Sequence, residues 1–285
     1  LSPCQWPRVG WLKPIQARPK DGQALSGMSI HDAEAALSDL AGEIHDLVAR
    51  HGGPVAAGRP LPPEAIDLTH LPDGAEHFFG RTEELAELDA AWASAGGSAI
   101  VELIAPGGVG KTSLVKRWLE GMQRDGWRGA QRVYGWSFYS QGTRHDKQAS
   151  EDHFLAEALA WFRVDIDAAA NPWDKASALA HAVIASRTLL VLDGVEPLQY
   201  PPGPLAGELH APGLKTLLQH LATAGHAGLC LITSRVRLED LNQYERNASR
   251  PDGIVQRLDL DNLDDADGAR LLHKLGVNWA GASAI

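Results

Sequence analysis

The chain has 285 residues, of which 44% are hydrophobic, and its formal net charge is −10 at pH 7. This size and apolar content suffice for one large domain with a fragment, or for two modest domains. The acidic balance argues against general binding of nucleic acid, and we expect no direct contact with it. Cys4 and Cys230 lie in unrelated contexts, which argues against a disulfide framework or a zinc site. With neither an export signal nor a membrane-length apolar segment in the sequence, we expect a cytoplasmic protein without membrane contact.

The first 77 residues predict a small N-terminal unit followed by a linker. Within residues 1–53, apolar residues recur at helical spacing between Ile30 and Val48, which predicts an amphipathic helix. Residues 54–77 are rich in Pro and Gly and lack sustained periodicity, so we expect a surface linker at a domain boundary. Because the chain starts at Leu1 without Met and stops just after a predicted helix, we expect both ends to be cut from a longer protein.

Beyond the linker, short apolar runs alternate with amphipathic helical stretches. The runs are SAIVELI, RVYGWSF, TLLVL, LCLIT and GIVQRLDL. Such alternation predicts an α/β fold in which a parallel sheet is flanked by helices on both faces. Ligands bind beyond the carboxyl ends of the strands in this architecture, so the residues that follow each run are the candidates for a site. In the first helical stretch, TEELAELDAAW, we expect Thr82 to be the N-cap.

The segment APGGVGKT, residues 105–112, has the pattern of a phosphate-binding loop. It follows the strand-like run that ends at Ile104 and opens a predicted helix, which is the context that this motif requires. The first glycine of the general pattern is Ala105 here, a change that removes no phosphate contact. A glycine-rich turn that merely joins strand to helix has no need of the Lys-Thr pair after its last glycine.

Each part of this loop has an expected role. The glycines allow backbone N–H groups to turn towards phosphates, and the N-terminus of the following helix adds partial positive charge. Lys111 is expected to reach the terminal phosphates, and Thr112 to offer its hydroxyl to Mg²⁺. The residues expected to contact the nucleotide here are Pro106, Gly107, Gly108, Val109, Gly110, Lys111, Thr112 and Ser113.

The segment TLLVLDGVEPLQ, residues 188–199, is a buried-strand pattern that ends in an acid. Asp193 is expected at the carboxyl edge of the sheet, where it would bind Mg²⁺ directly or through water. Glu196 is a candidate for orienting or deprotonating the attacking water. A capping role for Asp193 and a plain surface position for Glu196 are the structural alternatives.

The segment LCLITSR, residues 229–235, is another buried-strand pattern with a polar end. Arg235 is expected near the γ-phosphate, where a guanidinium can distinguish the bound nucleotides and stabilise charge during transfer. The alternative is a surface arginine paired with Glu239 or Asp240.

The order of these motifs resembles a known family. FFGRTEEL, APGGVGKTSL, LLVLDGVEPLQ, LITSR and LDNLDDADGARLLHKLGV together resemble the STAND class of AAA+-related P-loop NTPases, which includes NACHT and NB-ARC proteins. VYGWSFYSQGT is similar to the second-strand region of bacterial members. The resemblance implies a P-loop NTPase core at residues 78–262 and the beginning of a helical lid at residues 263–285. It also implies that Phe79 and Arg81 lie near the adenine, and that Arg235 is a sensor of the bound nucleotide.

The same resemblance implies a signalling switch that uses ATP, ADP and Mg²⁺. Such proteins rest with ADP, exchange it for ATP when a trigger ligand is sensed, and self-associate through the NTPase domain to bring effector domains together. The trigger is unknown, and the region that senses it is expected to follow the C-terminal end of this sequence.

Residues 1–53 resemble a different family. CQWPRVGWLKPIQARPKDGQALS and the helix after it are similar to the C-terminal end of bacterial TIR domains. This resemblance implies that the catalytic glutamate of such a domain lies outside the sequence, so that an NAD-cleaving activity would belong to the parent protein and not to this fragment. The alternative is a helical subdomain that docks on the NTPase.

Three functions are compatible with these motifs. The first is a signalling NTPase with slow ATP hydrolysis, in bacterial defence or regulation. The second is a dedicated P-loop ATPase without a switch role, although no acceptor motif of a kinase or signature motif of a transporter is visible. The third is a nucleotide-responsive STAND transcription regulator, which would need a helix-turn-helix that these residues do not show.

Overall fold

The computed structural model describes residues 65–74, 77–94, 99–139 and 150–277. The helix and the TIR-like segment predicted within residues 1–53 lie outside the described residues. None of the helices described is long and apolar enough to cross a membrane.

A parallel sheet of six strands forms the centre of the described region. Its strands lie in the order β1-β3-β4-β5-β2-β6, and every neighbouring pair is parallel. They are β1 (Ile66–His70), β2 (Ile100–Ile104), β3 (Arg132–Ser137), β4 (Thr188–Asp193), β5 (Leu229–Ser234) and β6 (Val255–Asp259). All five apolar runs are strands, which confirms the predicted parallel sheet.

Helices cover both faces of this sheet, as the alternating pattern predicts. They are α1 (Thr82–Ala93), α2 (Lys111–Arg124), α3 (Glu151–Phe162), α4 (Pro172–Ile184), α5 (Pro212–Leu221) and α6 (Asp265–Lys274). The hydrophobic core has two layers: α3, α4 and α5 pack in one, and α1 and α2 in the other. Successive residues of β4 alternate between them, with Leu190 and Leu192 in the first layer and Leu189 and Val191 in the second. The α/β fold is therefore confirmed.

The central strands bring their polar ends to one edge of the sheet. All residues of β2, β4 and β5 are buried, which explains why these strands are continuous apolar runs in the sequence. In the strand register, Ile104 lies opposite Ser234, and Ser137 lies opposite Asp193. The loops that follow these strands consequently meet above the same edge.

Strand β1 differs from the expectation of a linker at residues 54–77. Residues 66–70 pair with β3 at the edge of the sheet, where His70 lies opposite Trp136 and their ring centroids are 4.4 Å apart. Gly135 of β3 makes room for this edge, because a Cβ at that position would come within 2.6 Å of Leu71 Cδ1. The strand is missed because three of its five residues, Asp67, Thr69 and His70, are polar. It also lies in a segment of the sequence that is rich in proline and glycine.

Helix α1 also starts differently from the prediction. Thr82 is its first residue, whereas the N-cap position is occupied by Arg81 in a left-handed conformation with φ of 62°. A non-glycine residue held in this conformation costs about 1–3 kcal/mol, which other contacts must offset. Arg81 makes such contacts through its side chain, as described below.

A buried ion pair joins the edge strand β6 to the central strand β2. Arg257 Nε lies 2.8 Å from Glu102 Oε2, and both side chains are almost fully buried. The other Glu102 oxygen accepts a 2.7 Å hydrogen bond from the Leu238 N–H. Arg257 also donates to the side chains of Glu245 and Asn242. Arg257 and Glu102 are removed from water, so each depends on its partners for compensation.

We expect Arg257→Met to lower the free energy of unfolding by about 3–5 kcal/mol, because it leaves the buried Glu102 carboxylate without its counter-charge. The matched control is Arg237→Met, since Arg237 pairs with Asp259 at the surface and its loss should cost at most about 1 kcal/mol. Urea denaturation of both variants measures the difference. Equal losses in the two variants would contradict the structural role of the buried pair.

Candidate functional site

The glycine loop, residues 105–110, connects β2 to α2 and forms one wall of the candidate site. Gly108 and Gly110 have φ of 84° and 101°, conformations that favour glycine, and Gly110 is the N-cap of α2. No atom lies within 4 Å of a Cβ built on either residue, so this side of the loop faces open space. The loop starts at a fixed point because the Ala105 N–H donates to the Ser234 carbonyl at 3.2 Å.

Lys111 is folded back over the glycine loop. Its Nζ donates to the carbonyl oxygens of Ala105 at 2.5 Å and Pro106 at 3.2 Å. Burial lowers the pKa of this ammonium, with a further lowering by Arg235, while the carboxylates of Glu196 and Asp193 act in the opposite direction. An anion in the adjacent cavity would compensate the ammonium charge that burial disfavours.

Asp193 is the meeting point of three hydroxyl groups. Thr112 Oγ1 lies 3.0 Å from Asp193 Oδ1, Thr233 Oγ1 lies 2.8 Å from the same oxygen, and Ser137 Oγ lies 3.2 Å from Oδ2. Thr233 Oγ1 also accepts a 2.8 Å hydrogen bond from the Gly194 N–H. The carboxylate is only 3% exposed, so these contacts replace the water that burial removes. The predicted pair of Thr112 and Asp193 is thus in direct contact across 81 positions of sequence.

The donor set at Asp193 fits a hard divalent cation. A carboxylate and a hydroxyl are oxygen ligands of the kind that Mg²⁺ takes in phosphate-binding sites, where waters and phosphate oxygens complete its coordination. In the described residues there is no group of three or more His, Cys, Asp and Glu side chains that could hold a metal ion alone. Thr112 and Asp193 thus supply two of the oxygen ligands that Mg²⁺ would need beside a bound phosphate.

Arg235 and Glu196 form the opposite wall of this site. Arg235 Nε lies 3.7 Å from Glu196 Oε1, and its guanidinium approaches the glycine loop so closely that a Cβ on Gly107 would lie 3.5 Å from Arg235 Cζ. Asp240, an alternative partner considered for Arg235, instead pairs with Lys215 at 2.5 Å. Arg235 thus faces the candidate site.

These side chains line a common cavity of about 330 Å³. It brings together five residues that the sequence places on three separate motifs: Lys111, Thr112, Asp193, Glu196 and Arg235. Gly107, Gly108, Gly110 and Ser113 also line it. We refer to it as the polar cavity.

A larger cavity of about 560 Å³ adjoins the polar cavity and shares Gly108, Gly110 and Ser113 with it. We refer to it as the apolar cavity. Its other lining residues are His77, Phe78, Phe79, Arg81, Val109, Asn262, Leu263, Leu271 and Leu275. The two residues predicted to lie near a base, Phe79 and Arg81, are therefore both in its wall, whereas Pro106 lines neither cavity.

Arg81 ties three segments together around the apolar cavity. Its guanidinium donates to the Val109 carbonyl of the glycine loop at 3.3 Å and to the Asp261 carbonyl before α6 at 2.5 Å. It also pairs with Glu84 of α1 at 2.8 Å. Helix α6 closes against the same segment, because a Cβ on Gly80 would lie 2.2 Å from Asp267 Oδ2. Arg81 thus links these three segments and also lines the apolar cavity.

Sequence reasoning missed several residues of the site. Ser137 and Thr233 contact Asp193, and Tyr139 lines the polar cavity beside Arg235. All three lie at or just beyond the carboxyl ends of β3 and β5, where ligands bind in the predicted architecture. Thr233 lies in the segment LCLITSR, and Ser137 and Tyr139 lie in VYGWSFYSQGT, but neither pattern assigns a role to these hydroxyl groups, so only the strand-end rule could have identified them.

Comparison with known proteins gives distant similarities. No protein-family model matches the chain, and no curated protein matches it significantly. Solved structures similar to it include the Aeropyrum pernix ORC2 protein in ADPNP–ADP complexes, at 16% identity over 73% of this chain and 53% of that chain, with a TM-score of 0.46. Another is the E. coli MS115-1 HORMA:CdnC:Trip13 complex, at 14% identity over 72% of each chain, with a TM-score of 0.41. The chain spans about half the length of the ORC2 protein, and neither similarity is close enough to indicate what it binds.

The partly buried carboxylate of Glu196 gives the site a pH-dependent stability. Burial raises its pKa above the ordinary value of 4.5, although Lys111 opposes this. Within the described part of the chain, Glu196 Oε2 is buried and has no hydrogen-bond partner. A group with a raised folded pKa contributes stability below its unfolded pKa, and this contribution is lost as the pH rises through the folded pKa.

We therefore expect Glu196→Gln to be more stable than the wild-type protein at neutral pH, with the difference shrinking as the pH falls towards 4.5. Urea denaturation of the nucleotide-free protein between about pH 5 and pH 8 measures this difference. Glu157→Gln, at a half-exposed position of α3, controls for the loss of one negative charge. A Glu196→Gln variant whose stability relative to wild type does not depend on pH would show that burial does not disfavour this carboxylate.

Proposed function

We propose that this chain binds ATP and ADP with Mg²⁺ in the two adjoining cavities, hydrolyses ATP slowly, and acts as the nucleotide-controlled switch of a signalling protein. The observation that carries this proposal is the contact between Thr112, the residue after the loop lysine, and Asp193, the acid at the end of β4. A strand-to-helix turn without a ligand requires no such contact, whereas a phosphate site that uses a divalent cation needs the hydroxyl and the carboxylate oxygens side by side.

The phosphate groups would lie in the polar cavity. The N–H groups of the glycine loop and the N-terminus of α2 provide partial positive charge there, and Lys111 provides a full charge once it leaves the carbonyl oxygens of Ala105 and Pro106. Thr112 and Asp193 would hold Mg²⁺, which neutralises the charge of phosphate oxygens when it is bound. Arg235, on the opposite wall, would contact the terminal phosphate.

The base would occupy the apolar cavity. Phe79 offers a ring face, and the aliphatic side chains of Val109 and Leu271 supply apolar surface. The volume of about 560 Å³ is in the range of small-molecule sites. Because the two cavities share Gly108, Gly110 and Ser113, one nucleotide can span them from base to terminal phosphate.

Glu196 would act on the attacking water. Its carboxylate lines the polar cavity beside Arg235, and its raised pKa shows that burial favours the form that carries a proton. A general base works best when its pKa lies near the operating pH, so this shift moves Glu196 in the useful direction. In the sequence, Glu196 is the first carboxylate after Asp193, and Gly194 between them carries no side chain.

The switch role rests on the resemblance of the motif order to STAND NTPases and on the position of α6. Helix α6 and the residues that flank it line the apolar cavity through Asn262, Leu263, Leu271 and Leu275, so a bound base would contact the start of the proposed lid. In the proposed switch, exchange of ADP for ATP would change how the lid packs and permit self-association through the NTPase core. A trigger ligand sensed elsewhere in the protein, and a role in bacterial defence, belong to the same proposal.

Lys111→Ala tests the nucleotide site. We expect it to lower the affinity for both ATP and ADP by roughly 10- to 100-fold, the effect of losing a charge-assisted hydrogen bond worth about 1.5–3 kcal/mol. Isothermal titration calorimetry with each nucleotide in the presence of Mg²⁺ measures the affinities. Arg117→Ala is the matched control, because it removes the same charge from an exposed position of α2 outside the polar cavity. Unchanged affinity in Lys111→Ala would refute the proposed site.

A further inference from the structure

Tyr139 occupies a position between the two loops that form the polar cavity. It lies two residues beyond β3, and its ring packs against Gly194, where a Cβ would come within 3.2 Å of Tyr139 Cδ2. Gly194 has a φ of 67°, so this position requires glycine for its backbone as well as for the close approach of the ring. The tyrosine is therefore seated on the residue that directly follows Asp193.

The other side of the tyrosine holds Arg235. The guanidinium lies over the ring, with Arg235 Cζ 5.1 Å from the ring centroid, and it donates to the tyrosine hydroxyl. Glu196 also faces this guanidinium, but more loosely, since its Oε1 lies 3.7 Å from Arg235 Nε. A long arginine side chain loses much rotamer freedom when it is fixed, so its position depends on the contacts that hold it. Tyr139 supplies both a ring face and an acceptor for this purpose.

The direction in which Arg235 is held matters for the proposed function. Arg235 and Tyr139 line the polar cavity and do not line the apolar cavity. A nucleotide with its base in the apolar cavity would enter the polar cavity phosphates first, so its terminal phosphate would approach Arg235 most closely. A diphosphate is one group shorter and would interact with Lys111 and the glycine loop.

We propose that Tyr139 is a positioning residue that holds Arg235 against the glycine loop and thereby sets the preference of the site for nucleoside triphosphates over diphosphates. This inference rests on the proposed function and assigns a role to a side chain outside the phosphate-loop and acidic motifs. Tyr139 does not act on the nucleotide itself but fixes a cation that does. The hydroxyl and the ring contribute separately, so they can be removed one at a time.

The test compares affinities of variants for a non-hydrolysable ATP analogue and for ADP, both with Mg²⁺, by isothermal titration calorimetry. We expect Tyr139→Ala to bind the triphosphate roughly 3- to 10-fold more weakly, the scale of a partly desolvated cation–π contact, with ADP affinity unchanged. Tyr139→Phe keeps the ring and should show a smaller loss. Tyr200→Ala is the matched control, since Tyr200 is 40% exposed, close to the 42% of Tyr139, and lies outside both cavities.

A double-mutant cycle separates positioning from a general structural effect. In an Arg235→Ala background, Tyr139→Ala should cause no further loss of triphosphate affinity, because the side chain that it positions is gone. Additive losses in the cycle would overturn the inference. An unchanged ratio of triphosphate affinity to ADP affinity in Tyr139→Ala would overturn it as well. If Tyr139→Ala does not fold, an unchanged ratio in Tyr139→Phe overturns it instead.

Failure of the role proposed for Tyr139 can be distinguished from failure of the proposed nucleotide site. Loss of nucleotide binding in Lys111→Ala together with an unchanged ratio in the Tyr139 variants would overturn the role of Tyr139 alone. Full affinity in Lys111→Ala would overturn the nucleotide site itself.

Discussion

The arrangement of the candidate site depends on one buried carboxylate, that of Asp193. Hydroxyl groups from three other elements converge on it: Thr112 from α2, Ser137 from β3 and Thr233 from β5. Each hydroxyl can reach the carboxylate only if the strands keep their register and α2 starts where it does. The cost of burying an unpaired carboxylate therefore fixes the relative positions of the glycine loop and the loop after β4.

The strand order explains how these parts meet. Strand β5 separates β2 from β4 and contacts the loops after both: the Thr233 hydroxyl bonds to Asp193, and the Ser234 carbonyl accepts from the Ala105 N–H of the glycine loop. Charges of both signs are then left in a partly buried position, since burial lowers the pKa of Lys111 and raises that of Glu196. A site that disfavours its own charges in the absence of ligand is suited to a bound anion with a cation, which would compensate both.

The sequence predicts the fold well where periodicity is strong and less well at the edges. The five apolar runs are strands, and the residues at their carboxyl ends meet as the architecture requires. Strand β1 is not recognisable, because an edge strand of five residues can be half polar and still pair. The N-terminus of α1 is also mispredicted, since the side-chain contacts of Arg81 to Val109 and Asp261 override the local preference for a threonine cap.

In the candidate site, too, residues of local motifs are predictable from the sequence, and residues placed by long-range contacts are not. The residues of known motifs are predicted because their chemistry depends on local spacing, whereas Ser137, Thr233 and Tyr139 are brought to the site only by strand register. The composition of the apolar cavity depends on α6 folding back over residues 77–81, a long-range contact that periodicity does not encode.

The central claim is that the chain holds a nucleotide as a switch. The most direct measurement is to purify the protein without added nucleotide, denature it, identify the released compound by chromatography, and follow turnover of added ATP by the native protein. We expect near-stoichiometric ADP and a turnover slower than about one per minute, far below the usual enzyme range of roughly 1–1000 per second. An empty site with fast multiple turnover would contradict the switch and indicate an ordinary ATPase.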